Sequence, residues 1–299
     1  MPDRGAPAIL KIMQVRKAVI VAAGLGTRML PASKVIPKEI LPVVDQPAIQ
    51  MVVEEAAASG IEEIVLLLGP GKEALLEHFQ PAAALERYLE QRGKTELLES
   101  VRQMNRLAHF TTAWQDAPRG LGHAVLQARD AVGNEPFAVI LPDDIFDSAR
   151  PGLRQLLDAA EAADAPAVAL MRVPRAEIPK YGIVAVQPCG PRLYELTGMV
   201  EKPPIEKAPS DFAIIGRYVL TPEIFDLLAH VKPGAGGEIQ LTDGLRALAQ
   251  RRKLYGYELE GVRYDLGDRV GFLTAQIGFG LKRPELADDL RRWLSGLKL

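Results

Sequence analysis

Residues 17–23 read Lys-Ala-Val-Ile-Val-Ala-Ala and run directly into Gly24-Leu25-Gly26-Thr27-Arg28. A short β-branched run without polar alternation is the pattern of a strand buried on both faces, and glycine directly after it permits a tight turn. A buried strand that ends in a glycine turn is how the first strand of an α/β sheet begins.

Working outward, Pro31, Pro37, Pro42 and Pro47 stand too close together for a helix interior, so residues 24–47 read as a long shaped loop, the kind that usually carries function. Pro47 suits the first position of a helix, with Ile49, Val52, Val53 and Ala56 on one face and Gly60 as terminator. Residues 64–68 form the next strand, and a polar helical region follows over 72–104, punctuated by Gly93. The run Phe-Ala-Val-Ile-Leu at 137–141 is a strand that leads into Pro142-Asp143-Asp144. Further strands are predicted over 167–171, 182–186, 213–220 and 254–260, with helices over 153–163, 222–230 and 239–251.

This alternation predicts an α/β fold, a doubly wound, mainly parallel (Rossmann-like) mixed sheet that binds ligands outside its strand C-termini. No internal repeat or flexible linker divides it. The organisation read from the sequence is an N-terminal extension (1–16), one main α/β domain (17–267) and a small C-terminal helical extension (268–299).

The composition, 48% hydrophobic and 25% charged, is that of an ordinary globular protein and excludes disordered and collagenous classes. With 36 Lys and Arg against 38 Asp and Glu, the formal charge is −2, so no basic field exists to hold nucleic acid. An anionic ligand has to be met locally. The single cysteine, Cys189, reads as a structural thiol and fits a reducing compartment. The first sixteen residues lack the apolar run of a secretory leader, and no stretch reaches the ~18 apolar residues of a membrane helix. A cytoplasmic protein with no membrane partner is expected. The four histidines, at 78, 109, 123 and 230, lack ligand spacing, which argues against zinc.

Glycines at 24 and 26 let backbone N–H groups encircle phosphate oxygens, and Arg28 adds a planar bidentate charge, with Lys34 and Lys38 close behind. That suits a triphosphate. The segment matches neither GxxxxGK[ST] nor GxGxxG, because position 29 is Met. Taken alone it also reads as a glycine turn beside solvated basic residues. Asp143 and Asp144 follow one strand and Asp265 follows Val262-Arg263-Tyr264. Mg²⁺ takes hard carboxylate oxygens, one or two at a time, together with substrate phosphates. Asp143 and Asp265 would supply such a pair, although adjacent aspartates at a strand end also serve as turns or caps.

Residues 22–50, AAGLGTRMLPASKVIPKEILPVVDQPAIQ, resemble the signature of the sugar-1-phosphate nucleotidyltransferases. The likeness continues in order through RGKTELL (92–98), GLGHAVLQA (120–128), LPDD (141–144), KYG (180–182), VEKP (200–203), IIGRYVL (214–220), GGEIQLTD (236–243) and YDLGD (264–268). RGKTELL and GGEIQLTD are similar to the uridylyl-transferring members. The resemblance implies a glycosyltransferase-A-like nucleotidyltransferase fold. It further implies transfer of a uridylyl group from UTP to α-D-glucose 1-phosphate, giving UDP-glucose and pyrophosphate. The reaction would be an in-line, Mg²⁺-dependent attack at the α-phosphorus, in a homodimer or homotetramer.

It also implies roles. Arg28 and Lys38 would neutralise the phosphates that leave, and Lys202 would act at the reacting ones; with Asp143 these are the catalytic candidates. Lys34 stands between phosphate contact and plain surface. The loop residues Ala23, Gly24, Gly26 and Thr27 would hold the nucleotide. Gln115 would read the uracil edge, since an amide offers both donor and acceptor, and Gly120 would admit backbone to the ring. Asp143 and Asp265 would hold the metal. Asp144, Gly182 and Glu201 would face the sugar, with Glu238 and Gln240 at its border. His123 reads as structural, and Asp268 as shaping its turn.

The chain departs from the pattern at three places. Leu68-Gly69-Pro70-Gly71-Lys72 replaces a Thr-His-Ser-Ser-type segment, Gln80 replaces an acid after His-Phe, and Leu266 replaces a smaller or sulfur-bearing residue in YDxGD. The first two would alter the pocket edge or an oligomer contact, the third only packing. A thymidylyl-transferring sister enzyme and a catalytically silent nucleotide-sugar-binding protein are the competing readings.

Overall fold

The computed structural model describes residues 13–234 and 237–298. Most of the N-terminal extension, residues 1–12, therefore lies outside the described residues. Met13 and Val15 are buried against the core, and the Met13 N–H donates to Asp164 Oδ1 at 3.1 Å.

Strand β1 (Lys17–Ala22) alternates its side chains between the two faces of the sheet. Ala18, Ile20 and Ala22 enter one apolar cluster and Val19 the other, which is why the run shows no polar alternation. The proline-rich segment that follows is built of short 3₁₀ turns, Thr27–Met29, Ala32–Lys34 and Lys38–Ile40. It closes with the two-residue strands β2 (Pro42–Val43) and β3 (Gln46–Pro47) before α1 (Ala48–Ala58). Pro47 is thus the residue before the helix rather than its first, because its backbone is held in the bridge to Pro42.

After β4 (Glu63–Leu68), the polar region separates into α2 (Ala74–Glu77), α3 (Ala83–Gln91) and α4 (Thr95–Met104), with Gly93 at φ +64 between the last two. Next come β5 (His109–Trp114), α5 (Leu121–Gln127), α6 (Arg129–Val132), β6 (Phe137–Ile140), β7 (Asp144–Asp147), α7 (Gly152–Ala163) and β8 (Ala167–Arg172). The hairpin β9 (Gly182–Gly190) and β10 (Leu193–Glu201) precedes β11 (Phe212–Leu220), all of whose residues are buried. The chain continues through α8 (Glu223–His230), α9 (Leu241–Ala249), β12 (Tyr255–Glu258), β13 (Val262–Asp265), α10 (Arg269–Gly280) and α11 (Pro284–Ser295). No helix among the described residues is long and apolar enough to cross a membrane.

Nine strands form one mixed sheet in the order β5-β4-β1-β6-β11-β8-β12-β10-β9. β5, β4, β1 and β6 run parallel, so the C-terminal ends of three of them, at Leu68, Ala22 and Ile140, lie side by side. β11 is antiparallel to β6 and β8 and brings Arg217 opposite Ile140. Helices α1 and α7 cover one face through Ile49, Val52, Leu153 and Leu156; α5, α8 and α9 cover the other through Val125, Phe225 and Leu245. Both faces are covered, as a doubly wound sheet requires. β7 and β13 pair outside the main sheet, with Asp265 opposite Asp144.

Candidate active site

The segment after β1 keeps its shape through its own contacts. Gly26 sits at φ +65, a left-handed conformation that glycine adopts without penalty, and Ser33 Oγ donates to its carbonyl at 2.7 Å. Glu39, 2% exposed, accepts from Lys72 Nζ at 2.6 Å, which pins the loop to the segment after β4. Removing either partner would strand a buried charge, at a cost of about 3–5 kcal/mol. Gly69 packs directly on the start of this loop: a Cβ there would lie 2.7 Å from the Ala23 carbonyl oxygen.

Lys38 directs its Nζ onto Asp143 Oδ2. Burial opposes both charges, yet each outweighs it for the other. The Lys38 ammonium is raised above its usual range by Asp143 and Glu39, and Lys38 with Arg28 holds the Asp143 carboxyl below its own. The Leu266 N–H donates to the Asp143 carbonyl at 2.7 Å, so the turn after β13 is laid on the turn after β6. Gly267 marks the result. A Cβ there would stand 2.8 Å from Arg28 Nη2, 2.9 Å from Asp143 Oδ2 and 3.1 Å from Asp265 Oδ1, so two carboxylates and a guanidinium converge over one glycine. Among the described residues no three or more His, Cys, Asp or Glu side chains gather as a metal cage. Two hard oxygens at one point instead fit a cation such as Mg²⁺, which takes its remaining ligands from phosphates and water.

Asp144 is 4% exposed and fully engaged: Oδ2 accepts the Gly216 N–H at 2.8 Å and Oδ1 pairs with Arg263. Burial raises its carboxyl, helped by Asp143 and Asp265 and opposed by Arg263. Its side chain thus faces protein donors, whereas the sequence reading turns it toward a sugar.

Gln115, on leaving β5, donates its backbone N–H to Leu68 O at 2.9 Å. Its amide nitrogen reaches Gly120 O at 3.3 Å and His123 Nδ1 at 2.8 Å. His123 therefore accepts on Nδ1 as the neutral ring, and burial, then Arg119, lowers its pKa. Gly120 lies at φ +95, where a Cβ would come within 2.6 Å of Ile239 O. Backbone bonds of 2.8 Å, Gly122 N–H to Ile239 O and Ile239 N–H to Arg119 O, bind the GGEIQLTD and GLGHAVLQA segments together.

On the opposite wall, Glu201 stands opposite Gly182 in the β9–β10 hairpin and accepts from Thr242 Oγ1 at 2.6 Å. A Cβ on Gly182 would be 3.1 Å from both side chains. Lys202 has φ +44, and its N–H donates to Tyr181 O at 3.0 Å. For a residue with a Cβ this backbone costs about 1–2 kcal/mol, and such strain gathers at functional sites. Glu238 Oε2 accepts from Gln240 Nε2 at 2.6 Å.

These walls enclose a cleft of about 430 Å³ whose lining includes Ala23, Gly24, Arg28, Lys38, Gln115, Gly120, Asp143, Lys202 and Glu238. A recess of about 210 Å³ shares Arg28, Leu141 and Asp143 with it and adds Asp144, Tyr181, Gly216, Arg263 and Asp265. Gly26, Thr27, Gly182, Glu201 and Gln240 are not among these lining residues, and Thr27 and Lys34 are exposed. Arg217, Arg263 and Gly267 have no role in the sequence reading. The one available signal is a charge within the apolar run IIGRYVL, which has to be buried and fully bonded.

The family model described as nucleotidyl transferase matches residues 17–278. The chain is 48% identical over 284 residues to a UTP–glucose-1-phosphate uridylyltransferase of Bacillus subtilis (strain 168), covering 95% of this chain and 97% of that protein. A UTP-bound UGPase from Acinetobacter baumannii superposes with a TM-score of 0.88 at 38% identity, over 95% of this chain and all (100%) of that one. A UDP-glucose pyrophosphorylase complexed with UDP-glucose gives a TM-score of 0.84 at 40% identity, over 90% and 100%. Alike in sequence and in fold along nearly its whole length, the chain belongs to the nucleotidyl transferase family.

Proposed function

We propose that the chain transfers the uridylyl group of UTP to α-D-glucose 1-phosphate, forming UDP-glucose and releasing pyrophosphate. The observation that carries this is the convergence of Arg28, Asp143 and Asp265 over Gly267, at the junction of a cleft with a smaller recess. The relatives named for this reaction support the choice of substrates.

The nucleophile needs no general base. A phosphomonoester has its second pKa near ~6 and arrives largely dianionic at neutral pH. The protein's work is to align two mutually repelling anions and stabilise the charge that moves between them. In this reading Gln115 and Gly120 hold the uracil, and the backbone from Ala23 to Thr27 holds the triphosphate. Arg28 and Lys38 neutralise the departing pyrophosphate, and Lys202 the reacting phosphates. Gly182 and Glu201 border the sugar, while Asp144 supports that wall through Gly216. The family generally uses a divalent metal; here Asp143 and Asp265 would hold Mg²⁺, which supplies further positive charge at the phosphates when bound.

Purified protein given UTP, glucose 1-phosphate and Mg²⁺ should release pyrophosphate and form UDP-glucose, with dTTP a poorer substrate. Equal or better use of dTTP would favour the thymidylyl reading. Absence of any transfer from a folded preparation would favour the silent binder.

A further inference from the structure

β11 is buried along its whole length, yet it carries Arg217 at 0% exposure. A guanidinium survives in such a place only when paired and fully hydrogen-bonded. It has five N–H groups, and all five are used. Nε and one Nη2 hydrogen go to Glu55 of α1, at 3.0 Å and 2.6 Å. The others go to main-chain carbonyls: Asp144 at 2.8 Å, Gly216 at 2.9 Å and Leu141 at 3.2 Å.

Glu55 alone would account for a core ion pair. The carbonyls at Leu141 and Asp144 bracket Pro142 and Asp143. Pro142 has no N–H to give, and the turn's own bond, Asp144 N–H to Leu141 O, is long at 3.2 Å. The turn is therefore held from outside. On the β11 side are Arg217 and Gly216, whose carbonyl accepts the Leu141 N–H at 2.9 Å and whose N–H donates to Asp144 Oδ2 at 2.8 Å; on the other side is the Leu266 N–H on the Asp143 carbonyl at 2.7 Å. The Leu266 bond comes from the residue next to Asp265. Asp265, which also pairs opposite Asp144, is thereby tethered to the turn, so a turn that loses its shape between the Leu141 and Asp144 carbonyls would re-aim the Asp143 carboxylate relative to Asp265.

We propose that Arg217 is a positioning residue. By gripping the carbonyls of Leu141 and Asp144 it sets the Asp143 carboxylate at the distance from Asp265 that divalent-cation binding requires. This rests on the assignment of Asp143 and Asp265 as the carboxylates that hold the cation.

Two variants separate positioning from core stability. Arg217→Lys keeps a charge for Glu55 but cannot fork to both carbonyls. The double variant Glu55→Gln/Arg217→Met removes the pair without stranding a charge, and keeps an oxygen for the Leu153 N–H that Glu55 Oε1 accepts at 2.7 Å. Each is titrated with Mn²⁺ while saturated with UDP-glucose, following the free-ion EPR signal, with a thermal melt and a metal-free UDP-glucose affinity in parallel. In whichever variant melts cooperatively, Mn²⁺ should bind at least tenfold more weakly while UDP-glucose affinity changes less than threefold. Mn²⁺ affinity within twofold of the parent would overturn the proposal, as would failure of both variants to fold, which would make Arg217 a stability residue. Asp143→Asn run alongside tells the two failures apart: an unaltered Mn²⁺ titration there removes the metal assignment itself.

Discussion

Lys38 and Asp143, 105 residues apart in sequence, form an ion pair in the lining of the cleft. One ammonium is thereby shared between two tasks, neutralising a carboxylate assigned to a metal and meeting phosphates assigned to depart. A cation approaching Asp143 has to displace Lys38, and a triphosphate draws Lys38 away. Lys38→Met should therefore bind Mn²⁺ about tenfold more tightly without nucleotide, or ~1.4 kcal/mol, while losing most of its turnover. Isothermal titration with Mn²⁺ checks this, and an unchanged affinity would show that Lys38 does not compete.

Gly267→Ala places a methyl among Arg28, Asp143 and Asp265, with two of the three contacts under 3 Å. The side-chain ends can move aside, so the fold should tolerate it, with Tm within a few degrees. The displaced groups are those assigned to the chemistry, and a shift of about 1 Å can cost a hundredfold. A kcat/KM within fivefold of the parent would mean that their convergence is incidental.

His123 accepts from Gln115 only while neutral. Its pKa is lowered by burial and then by Arg119, so the folded chain favours the neutral ring and the unfolded chain protonates first, near ~6.5. Its contribution to stability is complete above that pH and declines as pH falls toward the folded value. Protonation also puts a hydrogen on Nδ1, which turns the Gln115 amide over and exchanges the donor and acceptor offered to a base. UDP-glucose affinity should weaken several-fold between pH 7.5 and 5, and the profile should flatten in His123→Gln. Parallel profiles for the two proteins would exclude this coupling.

Lys202 is held at φ +44. Lys202→Gly and Lys202→Ala both lose the ammonium and should both lose transfer. Glycine also relieves the left-handed strain, so its variant should be the more stable of the two by about 1 kcal/mol in urea denaturation. A more stable alanine variant would show that the backbone there is unstrained in solution.

What was legible in the sequence lay where local pattern and chemistry coincide. The buried run leading into Gly24, the strand leading into Asp143 and the lysine before Pro203 each carry a strand-end signature, and the fold brings them to one cleft. Less legible were features made by distant partners. β5 is an edge strand with half-exposed residues, and β7 and β13 are short strands that exist because they pair with each other. That pairing carries Asp265 to Asp143. Arg217 was hidden because a charge within IIGRYVL acquires meaning only when α1 supplies Glu55 and the turn supplies its carbonyls.

Pyrophosphorolysis followed by ³¹P NMR tests the central claim most directly. UDP-glucose and pyrophosphate are given to the parent protein and to Asp143→Asn, with and without Mg²⁺. The expected result is Mg²⁺-dependent appearance of UTP and glucose 1-phosphate with the parent alone. No conversion by folded parent protein, or undiminished conversion by Asp143→Asn, would contradict it.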